Sequence, residues 1–310
     1  MDLNKLPDKL YDKFLSEENK DWSERIILKI AIASFIVHLI VIGLVNFNFI
    51  TLTEPSSLLK NPIAAIYTPF SFILVYEVYL LIYYLPKSTS IYVSKQYEII
   101  TLIIFRRLFK DLSNLNLTAN WFDNKNDLQF TFDLVTAIIL FYLIYLFHVH
   151  RLKIYEAANH RKQDLVRISK FINTKKWIAT ALVPVLIFIS VYSLIHWCIG
   201  VFDPQGSEII SFKSINNIFF EQFFTILIVA DVFLLLFSFF HTDNFHAVIR
   251  NSGFIISTIL LRISFSVDGI VNNLLIITAV LFGLVVIVIY NKFEKRLVAE
   301  ELRMSQKPEN

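Results

Sequence analysis

Seven ionisable side chains stand inside or at the ends of apolar runs. Glu77 lies in YEVYLLIYYLP, Lys95, Arg106 and Arg107 in KQYEIITLIIFRRLFKDL, Asp231 in ADVFLLLFSFF, and Arg250 and Arg262 in VIRNSGFIISTILLRIS. In hydrocarbon a charged side chain costs roughly 2.5–3.5 kcal/mol on insertion scales, so such groups turn toward a bundle interior or toward water. Two kinds of chemistry suit them. They lock neighbouring helices as ion pairs, or they hold, pass or sense charge where water is scarce. The spacing favours an acid set between two bases. At ~1.5 Å per residue, Lys95 lies near one end of its helix and Arg107 about 20 Å further along, while Glu77 lies about 13 Å from the Pro86 end of the preceding helix. Glu77 is thereby bracketed in depth by Lys95 and Arg107, and Asp231 is bracketed by Arg250 and Arg262 in the same manner.

No other side chains suggest a reaction. The sequence has no phosphate-binding glycine loop, nucleophile elbow or HExxH zinc motif. His38 and His196 fall at different depths, and His148 and His150, two apart, point to different sides of a helix; they are expected to anchor an interface together with Arg151. His241 and His246 fall in a short polar turn, and Cys198, the one cysteine, excludes an internal disulfide or a cysteine cluster. Neither catalysis nor a metal or other cofactor is expected. Asn272 and Asn273 are placed to hydrogen-bond across helices, Glu221 is expected near a helix end, and Trp121, Trp177 and Trp197 fall at interfacial positions. Asn116 to Thr118 reads as a glycosylation acceptor, meaningful only on a eukaryotic secretory route.

The elements that must position these residues follow from composition. The 310 residues are 55% hydrophobic and 18% charged, with a mean hydropathy of +0.58, which is too apolar for an ordinary soluble domain. The net charge of +3 is small and its basic residues are grouped in blocks, so no nucleic-acid partner is expected. Six runs are long enough to span ~30 Å of hydrocarbon: 26–47, 63–86, 131–150, 177–199, 219–240 and 270–291. Two more, 92–111 and 246–266, carry the arginines and would score as interfacial helices in a hydropathy scan. With eight spans and an internal N-terminus, the cytoplasmic segments hold 21 Lys and Arg and the external ones 4. That is a positive-inside pattern. With six, the basic block at 150–176 would lie opposite the basic N-terminus. Eight spans is the better reading.

The two halves also parallel one another. Glu77 and Asp231, Lys95 and Arg250, and Arg107 and Arg262 recur at offsets of 154–155 residues, with Asp133 and Asp268 following at a shorter offset. The expected fold is therefore an all-α polytopic membrane protein, with about eight transmembrane helices in two tandem, parallel four-helix units. Its parts are a cytoplasmic amphipathic segment (1–25), a first unit (26–150), a cytoplasmic basic helix (151–176), a second unit (177–291) and a cytoplasmic helical tail (292–310). The basic N-terminal segment lacks an apolar run, so no cleaved signal peptide is expected; both termini should lie in the cytoplasm, at a bacterial inner membrane. Few glycines and interior prolines disfavour an alternating-access carrier. Two functions stay open: conducting or sensing ions through the buried charges, or serving as a non-transporting scaffold whose cytoplasmic helices dock a soluble partner. Homo-oligomerisation through Phe-rich faces is also expected.

Overall fold

Apolar runs with charges only at intervals leave the backbone one economical arrangement in hydrocarbon, the helix, in which each N–H finds its own carbonyl. A computed structural model describes residues 11–49, 62–112, 115, 124–158, 165–202, 212–241, 245–267 and 269–305. Among these residues there is no strand. Eight long helices follow in order: α1 (Glu17–Asn46), α2 (Tyr67–Tyr84), α3 (Thr89–Leu112), α4 (Lys125–Ala158), α5 (Leu165–Phe202), α6 (Phe212–His241), α7 (Phe245–Ser264) and α8 (Ile270–Ser305). A 3-10 turn, Pro62–Ile66, leads into α2.

Local signals set several boundaries. The Ser16 hydroxyl accepts the Asn19 amide at 3.1 Å and caps α1, with Glu17 and Glu18 in the first turn to complement the helix dipole. The α7–α8 connection turns at Gly269, whose φ of +75° is a left-handed conformation that favours glycine. The stretch read as a separate basic helix at 151–176 is divided: α4 runs on to Ala158, and α5 begins at Leu165.

Among the described residues, five segments are long and apolar enough to cross a membrane: Tyr11–Asn46, Asn126–Leu152, Phe171–Ile189, Phe245–Ser264 and Ile270–Leu297. Thr68–Tyr84 and Phe223–Phe239 are shorter apolar helices. The outward faces are as apolar as the core, with Ile138 at 66%, Phe141 at 71% and Phe188 at 72% exposure. Water would penalise such a surface and lipid would not.

Packing follows chain order and then closes. Sequence neighbours pack from α1 to α4 and from α5 to α8; α4 packs on α8, α2 on α5 and α3 on α7. Helices α2 to α8 thus form a closed ring that the α3–α7 contact divides into two compartments, while α1 packs on α2 and the 3-10 turn from outside the ring. Helix α3 is the hub. It buries Tyr92, Val93, Tyr97, Ile100 and Ile104 against its neighbours, which explains how a helix too polar to face lipid on every side sits in the middle of the bundle.

The compartment of α3, α4, α7 and α8 is tightly filled. Tyr97 of α3 reaches Ser257 of α7, hydroxyl to hydroxyl at 2.7 Å, and Ser257 donates to the Ala279 carbonyl of α8 at 2.6 Å. The Tyr97 hydroxyl fits because residue 283 has no side chain: a Cβ there would stand 1.8 Å from it. Tyr97, Phe147 and Phe254 pack in series, the first pair edge to face and the second tilted, at centroid separations of 5.0 and 5.7 Å. Gly253 also allows a close approach of α7 to α8, since a Cβ there would stand 2.8 Å from the Val286 side chain.

Candidate functional site

The charged residues are distributed over the two compartments, and the difference between their surroundings separates locks from a site. In the filled compartment, the Arg107 guanidinium meets the fully buried Asp133 carboxylate of α4 at 2.5 Å. It also donates to the side-chain carbonyls of Asn272, at 3.1 Å, and Asn273, at 2.6 Å. Asp133 accepts from Asn273 and from Gln129, each at 2.6 Å. Asn272 further donates to the Ser264 carbonyl. An arginine that is ion-paired to a carboxylate and donates to two amide carbonyls, and a carboxylate that accepts from two side-chain amides beside that ion pair, leave little room for a mobile charge. This cluster is a clamp joining α3, α4 and α8.

The partners therefore differ from the expected brackets. Arg107 pairs with Asp133, while Arg106, one residue earlier and about 100° around the helix, is the base whose charge acts on buried Glu77. Lys95 turns to Glu98 at 2.6 Å and over the Tyr84 ring at 5.2 Å. Glu98 also reaches Nε2 of His148 at 2.9 Å, while Arg151 donates to His148 Nδ1 at 3.1 Å. With Nδ1 accepting from Arg151, Nε2 is left to donate to Glu98. His148 thus works in a side-chain network with Arg151, whereas His150 bonds to the Leu146 carbonyl of its own helix at 2.9 Å. Arg250 lies over the Tyr290 ring at 4.4 Å and bonds to its neighbour Asn251. Arg262 donates to Thr225 of α6 at 3.1 Å. His38, in α1, meets the Thr68 hydroxyl of α2 at 2.5 Å. Asp268 and Trp121 lie outside the described residues, as do the side chains of Glu221, His196, Trp197 and His241.

The other compartment, bounded by α2, α3, α5, α6 and α7, is organised around Asp231. This buried residue is the central one of the apolar segment Phe223–Phe239. Gln96 of α3 donates to its carboxylate at 3.3 Å. The Tyr92 hydroxyl, one turn earlier on the same face of α3, approaches the same carboxylate. Lys175 of α5 is buried with its charge acting on Asp231, and its Nζ donates to the Lys87 carbonyl in the α2–α3 turn at 3.1 Å. Two cavities adjoin this group. One, of about 30 Å³, is lined by Tyr92, Lys175, Asp231, Ser238, Asn251 and Thr258. The other, of about 20 Å³, is lined by Gln96, Phe224, Asp231, Thr258, Arg262 and Phe265. Asp231 and Thr258 border both, and each cavity has room for at least one water at ~10–15 Å³ per molecule. The Tyr92 and Ser238 hydroxyls and Gln96 Oε1 are buried there without a well-formed hydrogen bond. Buried polar groups of this kind call for polar company.

Of the residues singled out in the sequence, Asp231 and Arg262 are brought to this site, and the other described charged ones make the contacts given above. Lys175, Tyr92, Gln96, Ser238 and Thr258 were missed. Lys175 is hidden in a run of eight basic residues that read as topology signals, and it shares its place within the apolar segment Phe171–Ile189 with Lys176. Tyr92 and Gln96 carry the i, i+4 spacing of one helical face. Among the described residues no three His, Cys, Asp or Glu converge to hold a metal ion. Comparison with protein-family models, curated proteins and solved structures finds no match to the chain.

Proposed function

We propose that the chain is an integral membrane protein that conducts or senses ions, with Asp231 at the centre of the path. One observation carries the reading: a buried carboxylate at the middle of an apolar helix borders two small cavities, largely apolar but each lined by a few polar side chains, placed on either side of it along the bundle. Charge is expensive at that depth, and the clamp at Arg107 illustrates what a purely structural solution looks like in the same chain. Asp231 differs from it in having water-sized space within reach.

In this reading all eight helices cross the membrane, α2, α3 and α6 being carried across by their neighbours. The bias of basic residues then puts both termini in the cytoplasm. The tandem-unit proposal is supported by α3 packing on α7 and α4 on α8, since these are equivalent helices in the two halves. The likeness is partial, because α5 packs on α2 as well as on α6 whereas α1 packs on α2. The test is ionic current or flux through the purified full chain in a bilayer under an imposed voltage. Loss of current on neutralising Asp231, with the fold retained, supports the path. Absence of any current or voltage response in the folded protein overturns it and favours the scaffold reading, whose candidate docking elements are the extensions of α4, α5 and α8 beyond the apolar segments.

A further inference from the structure

Resting on that reading, we infer that the ion carried past Asp231 is a proton. The two cavities, of about 30 and 20 Å³, admit one or two waters each at ~10–15 Å³ per water. A metal cation would have to shed nearly all its water to enter, and the donors at Asp231 do not replace that shell. Sodium-sized or calcium-sized hard cations are met by about six or more oxygens. Here the neutral groups bordering the carboxylate are a phenol, hydroxyls and amides divided between two cavities. The Lys175 ammonium acts on the carboxylate from α5, and Arg262 lines the second cavity. Both repel a metal ion. A proton needs neither volume nor a coordination shell, because it is passed by breaking one O–H bond and forming another.

The lining suits that relay. An excess proton arriving as hydronium in the cavity of Tyr92 and Ser238 passes to the Asp231 carboxylate, leaving a neutral water and forming the carboxylic acid. Breaking that O–H bond toward a water in the cavity of Gln96 and Arg262 restores the carboxylate and forms hydronium there, which hands the proton on and returns to water, so one proton has moved across and both waters and the carboxylate are as before. Thr258, bordering both cavities, donates its hydroxyl proton to the Ile255 carbonyl at 2.9 Å, which leaves its oxygen to accept from a water. The charged and titratable groups facing Asp231 are Tyr92 from α3, Lys175 from α5 and Arg262 from α7. Arg250 lies over the Tyr290 ring, and its charge acts on Lys175.

The experiment uses the full chain in liposomes containing a pH-sensitive dye, with a potassium diffusion potential driving uptake, and sodium and potassium flux measured in parallel. Proton flux above protein-free liposomes is expected, with Asp231→Asn lowering it at least tenfold and Asp231→Glu retaining it. Ser238→Leu, which fills the first cavity without touching a charge, should lower it severalfold; a monodisperse profile in detergent establishes that each variant folds. Sodium or potassium flux that depends on Asp231, without proton flux, would overturn the proton assignment and leave the ion path standing. Proton flux unchanged in folded Asp231→Asn and Ser238→Leu would overturn the route through these cavities. No flux of any ion from the folded wild type overturns the inference together with the conducting reading.

Discussion

Replacing Arg107 tests whether its cluster is a clamp. Asp133 is fully buried and receives the guanidinium at 2.5 Å along with two amide donors, Asn273 and Gln129. Removing one partner of a buried ion pair costs about 3–5 kcal/mol, because the other charge is left uncompensated. The amides remain to solvate Asp133, so Arg107→Gln should fall at the lower end, about 3 kcal/mol. For a chain of this length that corresponds to a fall in melting temperature of roughly 6 °C at ~2 °C per kcal/mol. Asp133→Asn alone leaves Arg107 with the Asn272 and Asn273 carbonyls and should cost ~2 kcal/mol, within the range for orphaning one side of a buried charged hydrogen bond. With Arg107→Gln and Asp133→Asn together the cluster becomes an all-amide network, and the loss should shrink to ~1 kcal/mol, since neutralising both members of a buried pair is often nearly neutral. The coupling is then about 4 kcal/mol, far above the 0.3–0.5 kcal/mol scatter of independent sites. Thermal or denaturant unfolding in detergent micelles of the wild type, the two single variants and the double variant measures it. Additive losses would refute the clamp.

The same cycle applied to Glu77 should give coupling between Glu77→Gln and Arg106→Gln and little between Glu77→Gln and Arg107→Gln, as read by melting temperature. Gly283→Ala should destabilise by about 1–3 kcal/mol, because its Cβ would overlap the Tyr97 hydroxyl; Tyr97→Phe should relieve part of that loss, so that the double variant is more stable than the sum of the singles predicts. Asn273→Leu removes donors or acceptors from both Arg107 and Asp133 and should lower stability by ~1–3 kcal/mol in the same assay. Reporter fusions at residues 120 and 160 should report opposite sides of the membrane, and a shared side would exclude the eight-span arrangement.

The sequence makes element positions far easier to read than partners. The polar runs 92–111 and 246–266 form helices at Thr89–Leu112 and Phe245–Ser264, because apolar periodicity and charge distribution both constrain a helix over many residues. Which acid meets which base is a matter of one residue. Arg106 and Arg107 are adjacent in sequence yet face different helices, and depth along the bundle, the quantity that spacing supplies, is nearly equal for both. Asp133 was noticed as a repeat marker, but its role needed the α3–α4 rotation. The Asp231 site was half visible: a central acid is conspicuous, whereas Lys175 sits among topology signals and the hydroxyls of Tyr92, Ser238 and Thr258 gain meaning from the cavities they share. The repeat offset pointed to Arg250 and Arg262 as partners of Asp231, and the asymmetric position of α5 supplied Lys175 instead.

The Arg107 clamp also has an order in time. Its carboxylate partner is made 26 residues after it, but the two asparagines that complete the cluster emerge 165 and 166 residues after the arginine. At ~5–20 residues per second of synthesis, that is on the order of ten to thirty seconds. During that interval α3 carries a guanidinium whose last acceptors do not yet exist, and this polar helix waits for α8. A ribosome-stalled intermediate ending before Asn272 should therefore hold α3 loosely, open to water-soluble labels at Arg107→Cys. Release of the full chain should close that access, with the final helix acting as the latch on the third.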